Sequence, residues 1–256
     1  MLKLFLVMVG CCAAQGELMS NVSSRIEWVF FDVGSTLTDE GPFEKYMLEY
    51  VFKTMRDIKL DLNRRVFNET LREVVETRKL GGGGYRSLIK ELVLSFTNDI
   101  NQVQKVVEAY KTHVSKKYVE MQVLYPETKS VLKQLAGRYC LGVIANQPKE
   151  TTKLIKKLGL TQYLKVAALS EQVGFSKPDP RIFLHALETA KCKPEKAMMV
   201  GDRLDNDIAP AKHLGMLTVR VKRGMMVYQK PLNKMEVPDY EIYSLEELVS
   251  ILKSPL

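Results

Sequence analysis

Asp32, Lys177, Asp202 and Asp207 are the residues whose types and settings could do chemistry. Asp32 directly follows a wholly apolar run, residues 28–31, and Gly34, Ser35 and Thr36 lie in the turn behind it. Asp202 stands just past a second apolar run, 197–200, with Asp205, Asn206 and Asp207 beyond it. A third run, 140–145, ends at Asn146 and Gln147, and a fourth, 166–169, leads by a loop to Lys177. Short apolar runs of this kind suit strands buried on both faces of a parallel sheet. In an open sheet of such strands, ligands bind in the crevice beyond the carboxyl ends. Several carboxylates and one lysine would then meet at one sheet edge. Carboxylates that close repel one another unless a cation sits among them. Hard oxygen ligands with room for water suit Mg²⁺.

The elements that must hold these residues follow from hydrophobic periodicity. Between residues 43 and 120 only helical patterns occur, at 43–58, 63–79, 87–96 and 102–119. The last of them carries Val103, Val106, Val107 and Tyr110 at helical spacing. Four helices set between two strands read as an inserted helical subdomain. From residue 125 onward strands and helices alternate. Pro126 opens a helix closed by Gly137, and Pro148 opens another closed by Gly159, as expected of Pro at a helix start and Gly after its end. Asp179-Pro180 begins a third, with Asp179 as its cap. A helix over about 206–214, strands over 216–221 and 240–242, and a last helix over 245–252 capped by Ser244 complete the pattern. Repeated strand–helix units imply an α/β fold with a doubly wound parallel sheet and right-handed crossovers. The expected division is a Rossmann-like core of residues 26–41 and 122–256, with an all-helical subdomain of residues 42–121.

Bulk properties bound the function. A chain of 256 residues can build one large α/β domain or a core with an insertion. Hydrophobic content of 46% and charged content of 27% are ordinary for a globular protein. The net charge of +8 favours anionic partners. Zinc-finger spacing and long Lys/Arg blocks are both missing, so nucleic acid is not expected, and a small phosphorylated metabolite fits better. Residues 1–18 admit two readings. Lys3, the apolar run 4–14 and Cys12-Ala13-Ala14 have the layout of a secretory signal peptide, too short to span a bilayer. Translation from Met19 would instead make them a spurious upstream extension. The first reading implies a secreted or periplasmic protein and the second a cytoplasmic one; neither implies a stable membrane span. Cys140 and Cys192 are the only cysteines beyond Cys11 and Cys12, so no disulfide framework is expected.

Three segments together resemble the haloacid dehalogenase-like hydrolases. Phe31-Asp32-Val33-Gly34-Ser35-Thr36-Leu37 is similar to their first motif, usually Asp-x-Asp-Gly-Thr. Ser176-Lys177-Pro178-Asp179-Pro180 resembles their lysine motif. Val200-Gly201-Asp202-Arg203-Leu204-Asp205-Asn206-Asp207 resembles their metal motif, Gly-Asp-x-x-x-Asn-Asp. Each segment alone is a weak signal, but all three stand in the family's order, each after an apolar run, and the resemblance extends from about residue 26 to 252. It implies that Asp32 is a nucleophile forming a covalent aspartyl intermediate. It implies that Asp32, Asp202, the Gly34 carbonyl and Asp207, directly or through water, hold Mg²⁺. Lys177 would stabilise phosphoryl charge and keep Asp32 ionised. Backbone amides near Gly34 and Ser35, with Asn146, would cradle the anion. The helical insertion matches the family's cap, which covers the site and selects substrates.

Two positions depart from that pattern. The family's second aspartate, which protonates the leaving group and contributes ~10²–10⁴-fold, is Gly34 here. Ala145 stands where a hydroxyl side chain normally touches the phosphate. Asp39 or Glu40 is a candidate substitute acid. Asp205 is expected to face solvent or cap a helix. The glycine run 81–84 reads as a flexible loop before a helix, with Tyr85 and Arg86 as candidate substrate contacts, and it lacks the lysine spacing of a nucleotide-binding loop. The resulting expectation is a Mg²⁺-dependent phosphatase acting on a small phosphate monoester. Gly34 also suits a haloacid dehalogenase-type enzyme, against which the metal motif speaks. Gly34 and Ala145 together also suit a catalytically weak phosphate-binding protein.

Overall fold

The computed structural model describes residues 25–78 and 84–252. Both readings of residues 1–18, and that of the glycines at 81–83, lie outside the described residues. Strand β1, Trp28–Phe31, alternates its side chains in the way a strand buried on both faces must. Val29 and Phe31 pack with Leu141, Val143 and Val200 on one face, and Phe30 packs with Ile144, Phe183 and Met199 on the other. Thr38–Asp39 (β2) and Val123–Leu124 (β3) form a small antiparallel ribbon, which no periodic signal had indicated. The remaining strands are Cys140–Ala145 (β4), Leu164–Leu169 (β5), Ala197–Gly201 (β6), Leu217–Val221 (β7) and Tyr240–Ile242 (β8). They join β1 in one six-stranded sheet of order β5-β4-β1-β6-β7-β8, parallel at every pairing. The expected doubly wound α/β fold is the one observed.

Four helices, Gly41–Asp57 (α1), Arg64–Thr77 (α2), Tyr85–Leu94 (α3) and Ile100–Ala109 (α4), lie in sequence between the two strands of the ribbon. They share an apolar cluster of their own, built on Phe43, Met47, Met55, Phe67, Ile89 and Leu92, all fully buried. The helix expected over 102–119 does not continue. It ends at Ala109, widens into a π-helical turn over Tyr110–Val114 and tightens over Ser115–Lys117. Hydrophobic spacing registers which residues face inward but is insensitive to this change of pitch.

Helices Thr128–Ala136 (α5), Thr151–Lys157 (α6), Ser170–Val173 (α7), Pro180–Ala190 (α8), Ala209–His213 (α9) and Leu245–Leu252 (α10) flank the sheet. The Asp179 carboxylate caps α8 by accepting the Arg181 amide at 2.9 Å, as expected. Cys140 and Cys192 are free thiols. Among the described residues no helix is long and apolar enough to cross a membrane. Phe183, on α8, is fully buried against the sheet. Phe183→Ala is expected to cost about 3–5 kcal/mol of stability. Denaturant unfolding would register this as a lower midpoint at unchanged slope.

Candidate active site at the carboxyl edge of the sheet

The strand order brings the acidic residues together. From β1 the chain goes outward to β4 and β5 and returns to β6 on β1's other side, so a crevice opens at the carboxyl ends of the central strands. Phe31 pairs with Val200 in register. The Asp32 amide extends that ladder by donating to the Val200 carbonyl at 2.8 Å. Asp32 and Asp202 therefore leave adjacent strands almost side by side. Asp207 joins them from the π-helical turn Leu204–Ile208. A Cβ on Gly201 would fall 2.4 Å from the Asp207 carboxyl carbon, so only glycine lets that carboxylate lie against the strand end.

Lys177 stands between two of these acids. Its ammonium donates to Asp32 Oδ1 at 2.6 Å, to Asp207 Oδ1 at 2.5 Å and to the Ile144 carbonyl at 3.0 Å. Asn146 fixes the loop that carries it. The Asn146 side chain accepts the Lys177 amide at 2.6 Å and donates to the Lys177 carbonyl at 2.8 Å. The expected anion-binding role for Asn146 thus competes with a positioning role, and one of its two N–H groups remains for a ligand. Ser35 lines the crevice at φ 51°, a left-handed conformation that costs a non-glycine residue about 1–2 kcal/mol. Behind it the chain turns tightly enough for the Leu37 and Thr38 amides both to reach the Val33 carbonyl at 2.9 Å.

Burial opposes the Lys177 ammonium, but Asp207 and Asp32 outweigh it and raise its pKa above the usual lysine range. The acids show the opposite imbalance. Burial pushes Asp207 up to about 6 although Lys177 pulls it down. Burial, then repulsion from Asp207 and Asp32, drives Asp202 well above the normal carboxylate range. Asp202 has no side-chain hydrogen bond to any described residue, and the Arg203 guanidinium beside it is bound to Asp205 at 2.7 Å. Three buried carboxylates thus crowd around one ammonium that bonds only two of them. One oxygen from each carboxylate lies within 4.8 Å of the others, and the buried Asn206 Oδ1 next to them has no partner among the described residues. A hard divalent cation suits this donor set.

Other expectations need correction. Asp205 does not face solvent: it is bound by Arg203 and accepts Gln229 Nε2 at 3.1 Å. Asp39 caps the Gly41 amide at 2.8 Å and lies outside the crevice. Arg86 lines a separate groove with Lys90 and Val103, whereas Tyr85 reaches the site. The crevice holds about 310 Å³. Its far wall is made of Glu40, Glu44, Tyr85, Tyr110, Ser115 and Tyr118. Glu40 and Tyr85 are expected candidates, whereas Glu44, Tyr110, Ser115 and Tyr118 carry no signature in the sequence beyond helical spacing. Glu40 is buried and accepts hydrogen bonds from the hydroxyls of Tyr85 (2.7 Å) and Tyr118 and from Gln122 (3.3 Å). Burial pushes its pKa up to about 7, against the pull of both tyrosines.

The haloacid dehalogenase-like hydrolase model matches residues 26–215. The chain belongs to that family. It is similar to a glyceraldehyde 3-phosphate phosphatase of Methanopyrus kandleri, at 31% identity over 89% of this chain and 97% of that relative. It is also similar to a phosphoglycolate phosphatase of Aquifex aeolicus, at 27% identity over 88% and 95%. Among solved structures, the HAD phosphatase from Thermococcus onnurineus superposes with a TM-score of 0.59 at 27% identity, covering 90% of this chain and 99% of its own.

In this hydrolase Gly201→Ala forces the Asp207 carboxylate away from Lys177 and from the Arg203 amide, which it accepts at 3.0 Å. An expected loss of about 1–3 kcal/mol, the usual cost of overpacking, would be measured by denaturant unfolding.

Proposed function

We propose that this hydrolase is a Mg²⁺-dependent phosphatase that cleaves a small phosphate monoester through an aspartyl-phosphate on Asp32. The observation that carries this reading is the Asp32 carboxylate: it opens into the crevice, lies 2.6 Å from the Lys177 ammonium and shares its surroundings with two further buried acids. An Asp32 oxygen attacks phosphorus, and the bond from phosphorus to the alcohol oxygen breaks. Water then attacks the phosphoryl group and releases phosphate, restoring the carboxylate. Asp32, the Gly34 carbonyl, Asp202 and Asp207 would hold Mg²⁺, with Asp207 bonded directly or through water. The ion, when bound, offsets the charge of an anionic nucleophile meeting an anionic substrate. Lys177 donates to Asp32 at 2.6 Å and would face the phosphoryl oxygens. Asn146 holds the Lys177 loop and, with the backbone around Gly34 and Ser35, completes the anion cradle. Asp202, buried without a side-chain partner among the described residues, favours this chemistry over metal-independent carbon–halogen cleavage.

On the same reading residues 42–121 form a cap over a core of residues 26–41 and 122–256, and the cap supplies Tyr85, Tyr110 and Tyr118 to the leaving-group side. That side carries Glu40 and Glu44 and, among the described residues, no cation outside the pairs of Lys177 and Arg203. The alcohol released is therefore uncharged and hydroxylated rather than carboxylate-bearing, as the glyceraldehyde released from glyceraldehyde 3-phosphate is and the glycolate released from phosphoglycolate is not.

Purified protein assayed for phosphate release is expected to need added Mg²⁺, to lose activity in EDTA and to regain it when the metal is restored. Asp32→Asn is expected to lower kcat by several orders of magnitude while leaving the fold intact by circular dichroism. Neutral polyol and aldose monophosphates should show a higher kcat/KM than phosphoglycolate. Metal-independent turnover, or an active Asp32→Asn enzyme, would dispose of the reading.

A further inference from the structure

Position 34 poses a steric question that the sequence alone leaves open. A Cβ built on Gly34 would fall 2.1 Å from Glu40 Oε1, 2.6 Å from its carboxyl carbon and 3.0 Å from Oε2. The space that a side chain at position 34 would enter is thus already taken by a carboxyl group, delivered from six residues further along the chain. Glu40 arrives there because the ribbon strand β2 ends at Asp39 and α1 begins at Gly41, so Glu40 sits at the joint and turns inward. It is 6% exposed, and the crevice it lines also holds Asp32, Lys177 and Asp202.

We propose that Glu40 is the proton-transfer residue of this hydrolase, its carboxyl occupying the place that a side chain two residues after the nucleophile would fill. The inference rests on the phosphatase reading and deepens it. In the first half-reaction Asp32 forms its bond to phosphorus, the phosphorus–oxygen bond to the alcohol breaks, and the Glu40 carboxyl gives its proton to the departing oxygen. In the second half-reaction the Glu40 carboxylate takes a proton from the attacking water, whose oxygen bonds to phosphorus as the bond from phosphorus to the Asp32 oxygen breaks, so phosphate leaves, the Asp32 carboxylate is restored and Glu40 returns to its starting form. Tyr85, Tyr118 and Gln122 are positioning residues, since all three donate to the Glu40 oxygens and fix the plane of the carboxyl. Gly34 and Glu40 are two halves of one arrangement, because a larger residue at 34 would displace the glutamate.

Glu40 could instead serve only to tie α3 and the Tyr118 segment to the core. A proton donor and a structural tie differ in how they depend on the alcohol released. A departing alkoxide needs a proton, whereas 4-nitrophenolate hardly does. The test compares kcat/KM with Mg²⁺ for propyl phosphate, phenyl phosphate and 4-nitrophenyl phosphate, in the wild type and in Glu40→Gln, which keeps a carbonyl oxygen for the tyrosines to reach. The expected result is a loss of ~10²–10⁴-fold for propyl phosphate. The loss should shrink steadily toward the nitrophenyl ester. An equal loss on all three esters, or none, overturns the proposal. The wild type gives a readout independent of how the variant folds: a shallow dependence on the acidity of the alcohol agrees with proton donation, and a steep one overturns it. Finally, Gly34→Asp combined with Glu40→Ala is expected to recover propyl phosphate hydrolysis relative to Glu40→Ala alone; no recovery overturns the claim that both positions serve one role. All comparisons use esters that the wild type turns over. Failure of the phosphatase reading would therefore appear as an inert wild type, and failure of this inference as a uniform loss.

Discussion

The site depends on an excess of buried negative charge held at the rim of the sheet. Asp32, Asp202 and Asp207 leave solvent together, and Lys177 alone faces two of them. A buried carboxylate pays several kcal/mol in lost hydration, which one ammonium bonded to two of the three cannot return. The surrounding protein tolerates this because a six-stranded sheet buried on both faces holds the strand ends in place. The site is thus strained toward a cation and an anionic ligand, and the fold supplies the rigidity that keeps the strain from relaxing.

That crowding is possible only where backbone and side chain approach unusually closely. Gly201 admits the Asp207 carboxylate and Gly34 admits that of Glu40, in each case at a distance where a Cβ would collide. Gly224 does the same for Ser35, whose Oγ lies 2.4 Å from where a Cβ would stand. Three glycines from separate parts of the chain therefore serve one purpose, to remove side-chain volume so that polar groups can converge. Two of the three, at 34 and 201, sit directly beside strand ends that carry an aspartate. Their value to the site is steric, for neither has the left-handed backbone that glycine more often provides.

The sheet and the acids at its edge were legible because both are written in short local patterns. Apolar runs of four to six residues marked β1, β4 and β6, and in each case the first polar residues past the run, Asp32, Asn146 and Asp202, were the ones that reached the crevice. What was not legible is whatever depends on through-space encounter. Glu40 and Asp39 are adjacent, equally acidic and equally placed in sequence, yet the ribbon turns one inward and leaves the other to cap a helix. The ribbon itself is two residues long on each strand, too short for alternation to register. Tyr118 follows a helix that changes pitch twice, so its direction could not be read from spacing. The burial of Asp205 is not legible because Gln229, which binds it together with Arg203, lies in a segment without periodic structure.

Glu40 also joins the two halves of the site. It belongs by sequence to the joint between β2 and α1, and it is held by tyrosines from the helical layer. Tyr85 extends the same connection to Glu44, whose Oε1 lies 3.0 Å from its hydroxyl oxygen, and Glu44 in turn accepts the Met225 amide at 3.2 Å from beyond β7. On the reading proposed here, the sheet edge sets the phosphoryl chemistry through charge, and the helical layer sets the leaving group through aromatic hydroxyls and neutral shape. A carboxyl anchored to both senses whether the helical layer is seated. If those tyrosines moved away, Glu40 would lose its orienting donors while Asp32 and Lys177, fixed by strand and loop, kept theirs. Proton transfer would then be the step that fails first when the two layers part, and phosphoryl capture the last.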